Sequence, residues 1–296
     1  MGFDSWENCR VVSCLAFRDD EGMDKNMIDS IESIDSGILQ MLVVDAVMAV
    51  FEGGFNTGAV NEKDDGSLVT AVDTELQSRI EGLLKARWPE IPLLGEEMTL
   101  NEQRRVMSSP AFWCLDPLDG TTNFAHGIPF FATSLALIVD GQVVSGVVFD
   151  PSRRECFRAD LGQGAWLNDH PLAVRSEGEA LNQCVALVDL KRLPRAVITK
   201  LAERAPYRSQ RSLGAVALEW CWLAAGRGQL YLHGAQRLWD YAAGLLVFKE
   251  AGGCGCIMDL DSGECLGMDR DIEAHAALGA SAQSLLEQWR RWLYQV

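Results

Sequence analysis

The chain has 296 residues, of which 48% are hydrophobic, and a formal net charge of −16 at pH 7. That length suits one large domain or two intimately joined ones, because a domain typically runs to roughly 100–200 residues. The acidity excludes a bulk surface built to grip nucleic acid or anionic lipid, so an anionic ligand needs a local cation, whether arginine, lysine or a bound metal ion.

The nine cysteines are odd in number and form no repeated C-x-x-C framework, which reads as reduced thiols in a cytoplasmic protein. Cys254 and Cys256, one residue apart with no partner pair, make a poor zinc site. The most apolar stretch, Gly37 to Phe51, carries Gln40 and Asp45 and falls short of the ~20 apolar residues of a membrane span, so no membrane partner is expected. Residues 1–35 lack a basic leader and match no interpretable pattern, so they read as an N-terminal extension of unknown role.

In chain order, Ile38, Leu42, Val43, Ala46, Val47 and Val50 predict a core-facing helix from Ser36 to Phe51, stopped by Gly53 and Gly54. Asp65-Gly66 predicts a turn, Leu68-Val69-Thr70 a short strand, and Asp73 the cap of a helix with Leu76, Ile80, Leu83 and Leu84 on one face. "IPLLGEE" reads as a short buried strand ending at Glu96 and Glu97, and "AFWCLD" as another ending at Asp116. Strands joined by an Asp140-Gly141 hairpin turn follow, then short strands through "ECFRADLGQGAWLND". After Leu181 the pattern alternates: "CVALVDL" and "QLYLHG" as strands, and "PRAVITKLAERA", "SLGAVALEWCWLAAGRG" and "LWDYAAGLLVFKEAGG" as helices. The expected organisation is an α+β part over 36–180 and an α/β part over 181–296, a change of layer within one body. The closing "AQSLLEQWRRWLYQV" has an apolar helical stripe that suits packing onto the body or a partner subunit.

The stretch "WCLDPLDGTTNF" holds the chemistry. Pro117 fixes its own φ and lacks an N–H, which predicts a sharp turn bringing Asp116, Asp119 and the Leu118 carbonyl together. Hard oxygen donors without histidine or cysteine suit Mg²⁺, and the amides beginning at Gly120 and Thr121 suit an anion. Carboxylates repel a phosphate unless a metal ion lies between them, so the set is self-consistent as a metal-bridged phosphate site. A helix capped by Asp119 with Asp116 in an ordinary turn is the plain alternative.

Four stretches in the right order, "KDDGSLVTAVD" (63–73), "GEE" (95–97), "DPLDGTTNF" (116–124) and "WDYAAGLLVFKEAGG" (239–253), resemble the motifs of the inositol monophosphatase family. That is a family of Mg²⁺-dependent, lithium-sensitive phosphatases, and the resemblance runs from about Lys63 to Ala280. It implies a layered α/β sandwich like that of inositol monophosphatase and fructose bisphosphatase, with sheets alternating with helix pairs. It further implies one ion on Glu96, Asp116 and the Leu118 carbonyl, a second on Asp116, Asp119 and Asp240, and a weaker third on Glu96, giving two to three Mg²⁺. Gly120 and Thr121 then offer amides to the phosphate, and Thr121, oriented by Asp73, helps Glu96 deprotonate the attacking water.

The implied substrate is a small phosphorylated metabolite, inositol 1-phosphate first, with 3′-phosphoadenosine 5′-phosphate and fructose 1,6-bisphosphate as alternatives, and the implied assembly is a homodimer. A catalytically silent binder or regulator is the reading from another class; it predicts a lost ligand, whereas Glu96, Asp116, Asp119, Thr121 and Asp240 are all present. Two positions depart from the inositol-selective members: His233 stands where they carry a glutamate that contacts inositol, and Gly127 where a basic residue is common. His233 reads either as a contact for a sugar or second phosphate or as a surface histidine at a strand end. His126 has the same two readings, Glu97 is either a partner of the metal site or a solvated loop carboxylate, and His170 and His275 read as structural.

Overall fold

The computed structural model describes residues 25–52, 60–62, 68–96, 98–174, 180–266 and 273–295. The beginning of the N-terminal extension, the expected helix stop at Gly53 and Gly54, the Asp65-Gly66 turn and Glu97 lie outside the described residues.

The end of the extension forms α1 (Lys25–Glu32). Asp35 then caps α2 (Ser36–Phe51) by accepting the Ile38 amide at 2.9 Å. The buried face of α2 is Leu39, Val43, Ala46, Val47 and Phe51; Ile38, Leu42 and Val50 lie at its margin. β1 (Val60–Glu62) pairs antiparallel with β2 (Leu68–Thr70), and α3 (Ala71–Arg87) follows. α3 buries Leu76, Ile80 and Leu84, whereas Leu83, expected on the same face, is 43% exposed.

The first large sheet comprises β3 (Leu93–Gly95), β4 (Ala111–Asp119), β5 (Ala132–Val139), β6 (Gln142–Asp150), β7 (Glu155–Asp160), β8 (Gly164–Leu167) and β9 (His170–Leu172), side by side in that order. β3 runs parallel to β4 and every other pair is antiparallel. Asp140 and Gly141 both adopt positive φ, 49° and 78°, as a two-residue turn between right-twisted strands demands. Helices α4 (Leu100–Met107) and α5 (Thr121–Ala125) flank β4 in the chain.

The second sheet takes strands from the rest of the chain: β10 (Val185–Asp189), β11 (Ser209–Arg211), β12 (Leu230–Gln236), β13 (Cys254–Met258) and β14 (His275–Ala280), in the spatial order β11-β10-β12-β14-β13. β10 is parallel to both its neighbours, and β14 is antiparallel to both of its own. The helices of this half are α6 (Arg195–Arg204), α7 (Val216–Ala224), α8 (Leu238–Glu250) and α9 (Gln283–Tyr294).

Three cores stack these elements into five layers. α2 and α3 cover one face of the first sheet through Val43, Val47, Leu76 and Ile80. α7 and α8 fill the space between the sheets, touching Ala136, Val148 and Phe157 on one side and Tyr231, Ile257 and Ala277 on the other. α6 and α9 close the outer face of the second sheet through Leu201, Leu285 and Trp289. α8 buries ten of its 13 residues, which only a helix covered on every side can do. Its contact with α7 is tight: a Cβ on Gly244 would lie 2.6 Å from the Ala217 carbonyl oxygen. α9 packs onto the body, and Trp289 Nε1 donates to the Tyr231 carbonyl at 3.0 Å.

The cysteines correct one expectation. Cys114, Cys156 and Cys221 are free thiols, but Cys256 and Cys265 form a disulfide, because the turn after β13 lays Cys265 beside Met258. Among the described residues no single helix is long and apolar enough to cross a membrane.

Candidate active site

All nine residues of β4 are buried, so the strand carries Asp116 (3% exposed) and Asp119 (7%) into the interior at its carboxyl end. The expected sharp turn at Pro117 is instead a bulge. Asp116 pairs with Ser134 and Asp119 with Ala132, which leaves Pro117 and Leu118 opposite Thr133 alone. A bulge accommodates a proline that has no N–H for the ladder, and the Pro117 carbonyl still accepts the Thr133 hydroxyl at 2.8 Å. Asp116 Oδ1 accepts the Leu118 amide at 3.0 Å across the bulge.

Gly120 leaves the strand at φ +89° and starts α5. The Thr121 hydroxyl lies 2.9 Å from the Leu118 carbonyl oxygen and 3.3 Å from Asp73 Oδ1. Asp73 is the third residue of α3 and caps it differently from expectation: Thr70 is the N-cap, and Asp73 Oδ2 reaches back to the Thr70 amide at 2.8 Å and hydroxyl at 2.6 Å. The other oxygen is thereby left facing Thr121. Asn123 locks α5 in place by donating to the Phe130 and Leu213 carbonyls at 2.8 and 2.7 Å.

The remaining carboxylates arrive from separate elements. Glu96 follows β3, and the parallel register Gly95 to Leu115 sets it beside Asp116 at the ends of adjacent strands. Asp119 turns toward the first turn of α7, accepting the Val216 amide at 3.0 Å and the Ala217 amide at 2.8 Å. Asp240, in the first turn of α8, accepts the Arg237 amide at 2.9 Å.

Burial raises the Asp116 carboxyl well above the ordinary carboxylate range, and the charges of Glu96, Asp119, Asp240 and Asp73 push it further. Asp119 is raised by burial and then by Asp240, against the pull of the Ala217 and Val216 amides. Burial takes Asp240 to about 6, although its Arg237 hydrogen bond favours the charged form. No lysine or arginine among the described residues forms a salt bridge with Asp116, Asp119 or Asp240. A divalent cation is what this mutual repulsion lacks, and the donors fit one, being carboxylates and the Leu118 carbonyl, all hard oxygen. Among the described residues no three histidine, cysteine, aspartate or glutamate side chains are grouped as the ligands of one metal ion, so the fit to a cation lies in the kind of donor.

A family model described as the inositol monophosphatase family matches residues 30–292. The chain belongs to this family of Mg²⁺-dependent phosphomonoesterases. It is 34% identical to inositol monophosphatase 2 of Saccharomyces cerevisiae over 221 residues, covering 68% of this chain and 73% of that protein. It is equally 34% identical over 200 residues to the Nus factor SuhB of Pasteurella multocida, covering 66% and 73%. An IMPase structure from Thermotoga maritima superposes with a TM-score of 0.73 at 27% identity, covering 87% of this chain and 95% of the other. SaIMPase-II of Staphylococcus aureus, 25% identical, is known with inositol monophosphate bound (TM-score 0.69, coverage 86% and 91%) and with 2′-AMP bound (0.71, 86% and 92%). The layered inositol monophosphatase and fructose bisphosphatase sandwich expected from the motifs is the fold of this chain.

The family member's histidines separate cleanly. His233 is no surface residue: it is 4% exposed on β12, opposite Asp189 of β10. Its Nδ1 accepts the Ala235 amide at 3.2 Å, so Nε2 carries the proton that meets Asp189 Oδ2 at 3.1 Å. Burial works against the Asp189 charge, but the hydrogen bonds from His233 and the Lys191 amide, with the Arg192 charge, outweigh it and hold that carboxyl below its usual value. His126 faces solvent with Nδ1 2.8 Å from the Thr122 carbonyl, and His170 is exposed on β9. Sequence reasoning missed Gln103, which donates to the Gly95 and Glu96 carbonyls at 3.3 Å, and Glu219, buried within α7. The signal for Glu219 was a lone carboxylate inside the apolar run "GAVALEWCWLAA".

Proposed function

We propose that this protein hydrolyses a small phosphomonoester, most naturally inositol 1-phosphate, with two to three Mg²⁺ held between its buried carboxylates and the substrate phosphate. The observation that carries the reading is that β4, the end of β3 and the first turn of α8 bring Asp116, Asp119, Glu96 and Asp240 near enough for their charges to act on one another, beside Gly120 and Thr121 at the start of α5. Glu96, Asp116 and the Leu118 carbonyl would hold one ion, Asp116, Asp119 and Asp240 a second, and Glu96 the third. When bound, the metal supplies positive charge to the phosphate oxygens and lowers the pKa of water. Asp73 keeps the Thr121 hydroxyl aimed, and Thr121 with Glu96 holds the attacking water and takes its proton. The backbone N–H groups at Gly120 and Thr121 fix the phosphate for in-line attack, and Asp119 orients the substrate.

Relatives named inositol monophosphatase and the inositol monophosphate in SaIMPase-II support the inositol substrate; the 2′-AMP in that protein keeps 3′-phosphoadenosine 5′-phosphate as the alternative, with fructose 1,6-bisphosphate behind it. By the resemblance His233 takes the place of the inositol-contacting glutamate, and its exchange for that carboxylate is what would shift selection among these alcohols. The cytoplasm, a homodimer and lithium inhibition complete the proposal. A regulatory, non-catalytic role is the second reading, favoured by the relatives named Nus factor.

Phosphate release from inositol 1-phosphate, fructose 1,6-bisphosphate, 3′-phosphoadenosine 5′-phosphate and glycerol 2-phosphate, with Mg²⁺ and with chelator, tests the proposal. Mg²⁺-dependent release is expected, and Asp240→Asn is expected to fold normally while losing most turnover. Absence of release from all four, or wild-type turnover of the variant at saturating Mg²⁺, overturns it.

A further inference from the structure

A buried chain of hydrogen bonds joins the two helices whose first turns supply the second ion's surroundings. Glu219, 2% exposed in α7, accepts the Leu213 and Gly214 amides on Oε1 at 2.9 and 3.1 Å. Its Oε2 accepts the Tyr231 hydroxyl at 3.1 Å. Tyr231 Oη in turn accepts Gln236 Nε2 at 2.6 Å, and Gln236 Oε1 accepts Trp220 Nε1 at 3.2 Å. Glu219, Tyr231, Gln236 and Trp220 are all buried, and each polar atom used has a partner.

The two ends of this chain matter. Leu213 and Gly214 lie one residue before the α7 residues whose amides hold Asp119, and the Leu213 carbonyl is also gripped by Asn123 of α5, which follows Asp119. Gln236 immediately precedes Arg237, the N-cap whose amide holds Asp240. A carboxylate buried at this cost, with no arginine or lysine in contact among the described residues, is a poor device for stability alone. A hydrophobic residue would pack the same space and leave the Leu213 and Gly214 amides free to swing.

We propose that Glu219 is a positioning residue: through the 213–215 loop on one side and Tyr231-Gln236 on the other, it fixes Asp119 at the distance from Asp240 that a shared cation requires. The inference rests on the reading of Asp119 and Asp240 as ligands. Removing the carboxylate lets the α7 amides and Asp119 drift, so metal affinity falls.

The test is a titration of the purified full chain with Mn²⁺ alone, followed by electron paramagnetic resonance, alongside phosphate release at increasing Mg²⁺. Glu219→Ala is expected to weaken metal binding about 10-fold or more, the usual effect of losing a group that orients a ligand. Turnover should recover at saturating Mg²⁺. Glu219→Gln, which keeps an acceptor for both loop amides, should restore most of the affinity. A variant that is merely less stable, with Mn²⁺ affinity and Mg²⁺ requirement at wild-type values, overturns the inference. If Glu219→Ala does not fold, Tyr231→Phe decides, since it cuts the same chain with little change of shape; unchanged Mn²⁺ binding there also overturns it. Asp240→Asn is the control. Undiminished Mn²⁺ binding by that variant refutes the ligand assignment itself, whereas a loss there with none in the Glu219 and Tyr231 variants refutes the positioning role alone.

Discussion

Two glycines with the same backbone sign and different surroundings allow the phosphate loop to be probed by one methyl group. Gly120 and Gly127 have φ of +89° and +69°, so alanine at either pays the left-handed penalty of roughly 1–2 kcal/mol. There the likeness ends. A Cβ on Gly127 meets nothing within 4 Å, whereas one on Gly120 lies 3.0 Å from both the Ala215 Cβ and the Phe130 carbonyl oxygen and 3.3 Å from the Gly214 carbonyl oxygen. Neither carbonyl can yield freely, because Phe130 is tied to Asn123 and Gly214 to Glu219. Overpacking of this kind adds about 1–3 kcal/mol. Gly120→Ala should therefore cost about 2–5 kcal/mol and Gly127→Ala about 1–2 kcal/mol. At roughly 2–4 °C per kcal/mol for a large domain, the first melts on the order of 4–20 °C below wild type. Thermal melts of both variants with phosphate-release assays at a permissive temperature measure this. Gly120→Ala should also lose turnover, since relief of the contacts moves the amides at Gly120 and Thr121. A Gly120→Ala protein as stable as Gly127→Ala refutes the geometric argument.

Asp189 gives a pH signature. Its folded carboxyl titrates below the ordinary value of 3.8, so the stabilisation it provides is complete above that value and is lost as pH falls through the lower folded one. Urea denaturation of wild type and Asp189→Asn should show a constant gap from pH 7 to about 4.5 that narrows as pH falls below the ordinary aspartate range; a gap that widens on acidification contradicts the His233 pairing. Lithium at millimolar concentration should inhibit phosphate release by displacing a bound cation, and release unchanged across a lithium titration removes that part of the functional proposal.

The sequence was most readable where a property is local. The limits of α2 and the start of α8 followed from apolar spacing, and Asp140-Gly141 followed from the turn that only positive φ completes. Asp116, Asp119 and Asp240 were marked by motifs because each stands beside residues whose types are fixed by backbone geometry. The bulge at Pro117 was hidden, since D-P-x-D reads as a turn until its strand neighbour is known. α4 was overlooked for a different reason: "LNEQRRVM" is short and charged, and its one clear mark was the Thr99–Glu102 capping box. Long-range partners were the least legible. Nothing near His233 announces Asp189, 44 residues earlier in a parallel strand, and nothing near Asp119 announces α7 amides almost a hundred residues away. Pairings of that kind are set by sheet order, which no single stretch of chain encodes.

The packing of α7 and α8 between the two sheets has a mechanical consequence. With a glycine seated against the Ala217 carbonyl and apolar side chains on both flanks, neither helix can slide without displacing close-packed atoms above and below it. A relative rotation of the sheets is thereby stiff along the line that separates Asp119 from Asp240. The protein has the character of a clamp with fixed jaws, and ligands must enter and leave past side chains at its mouth.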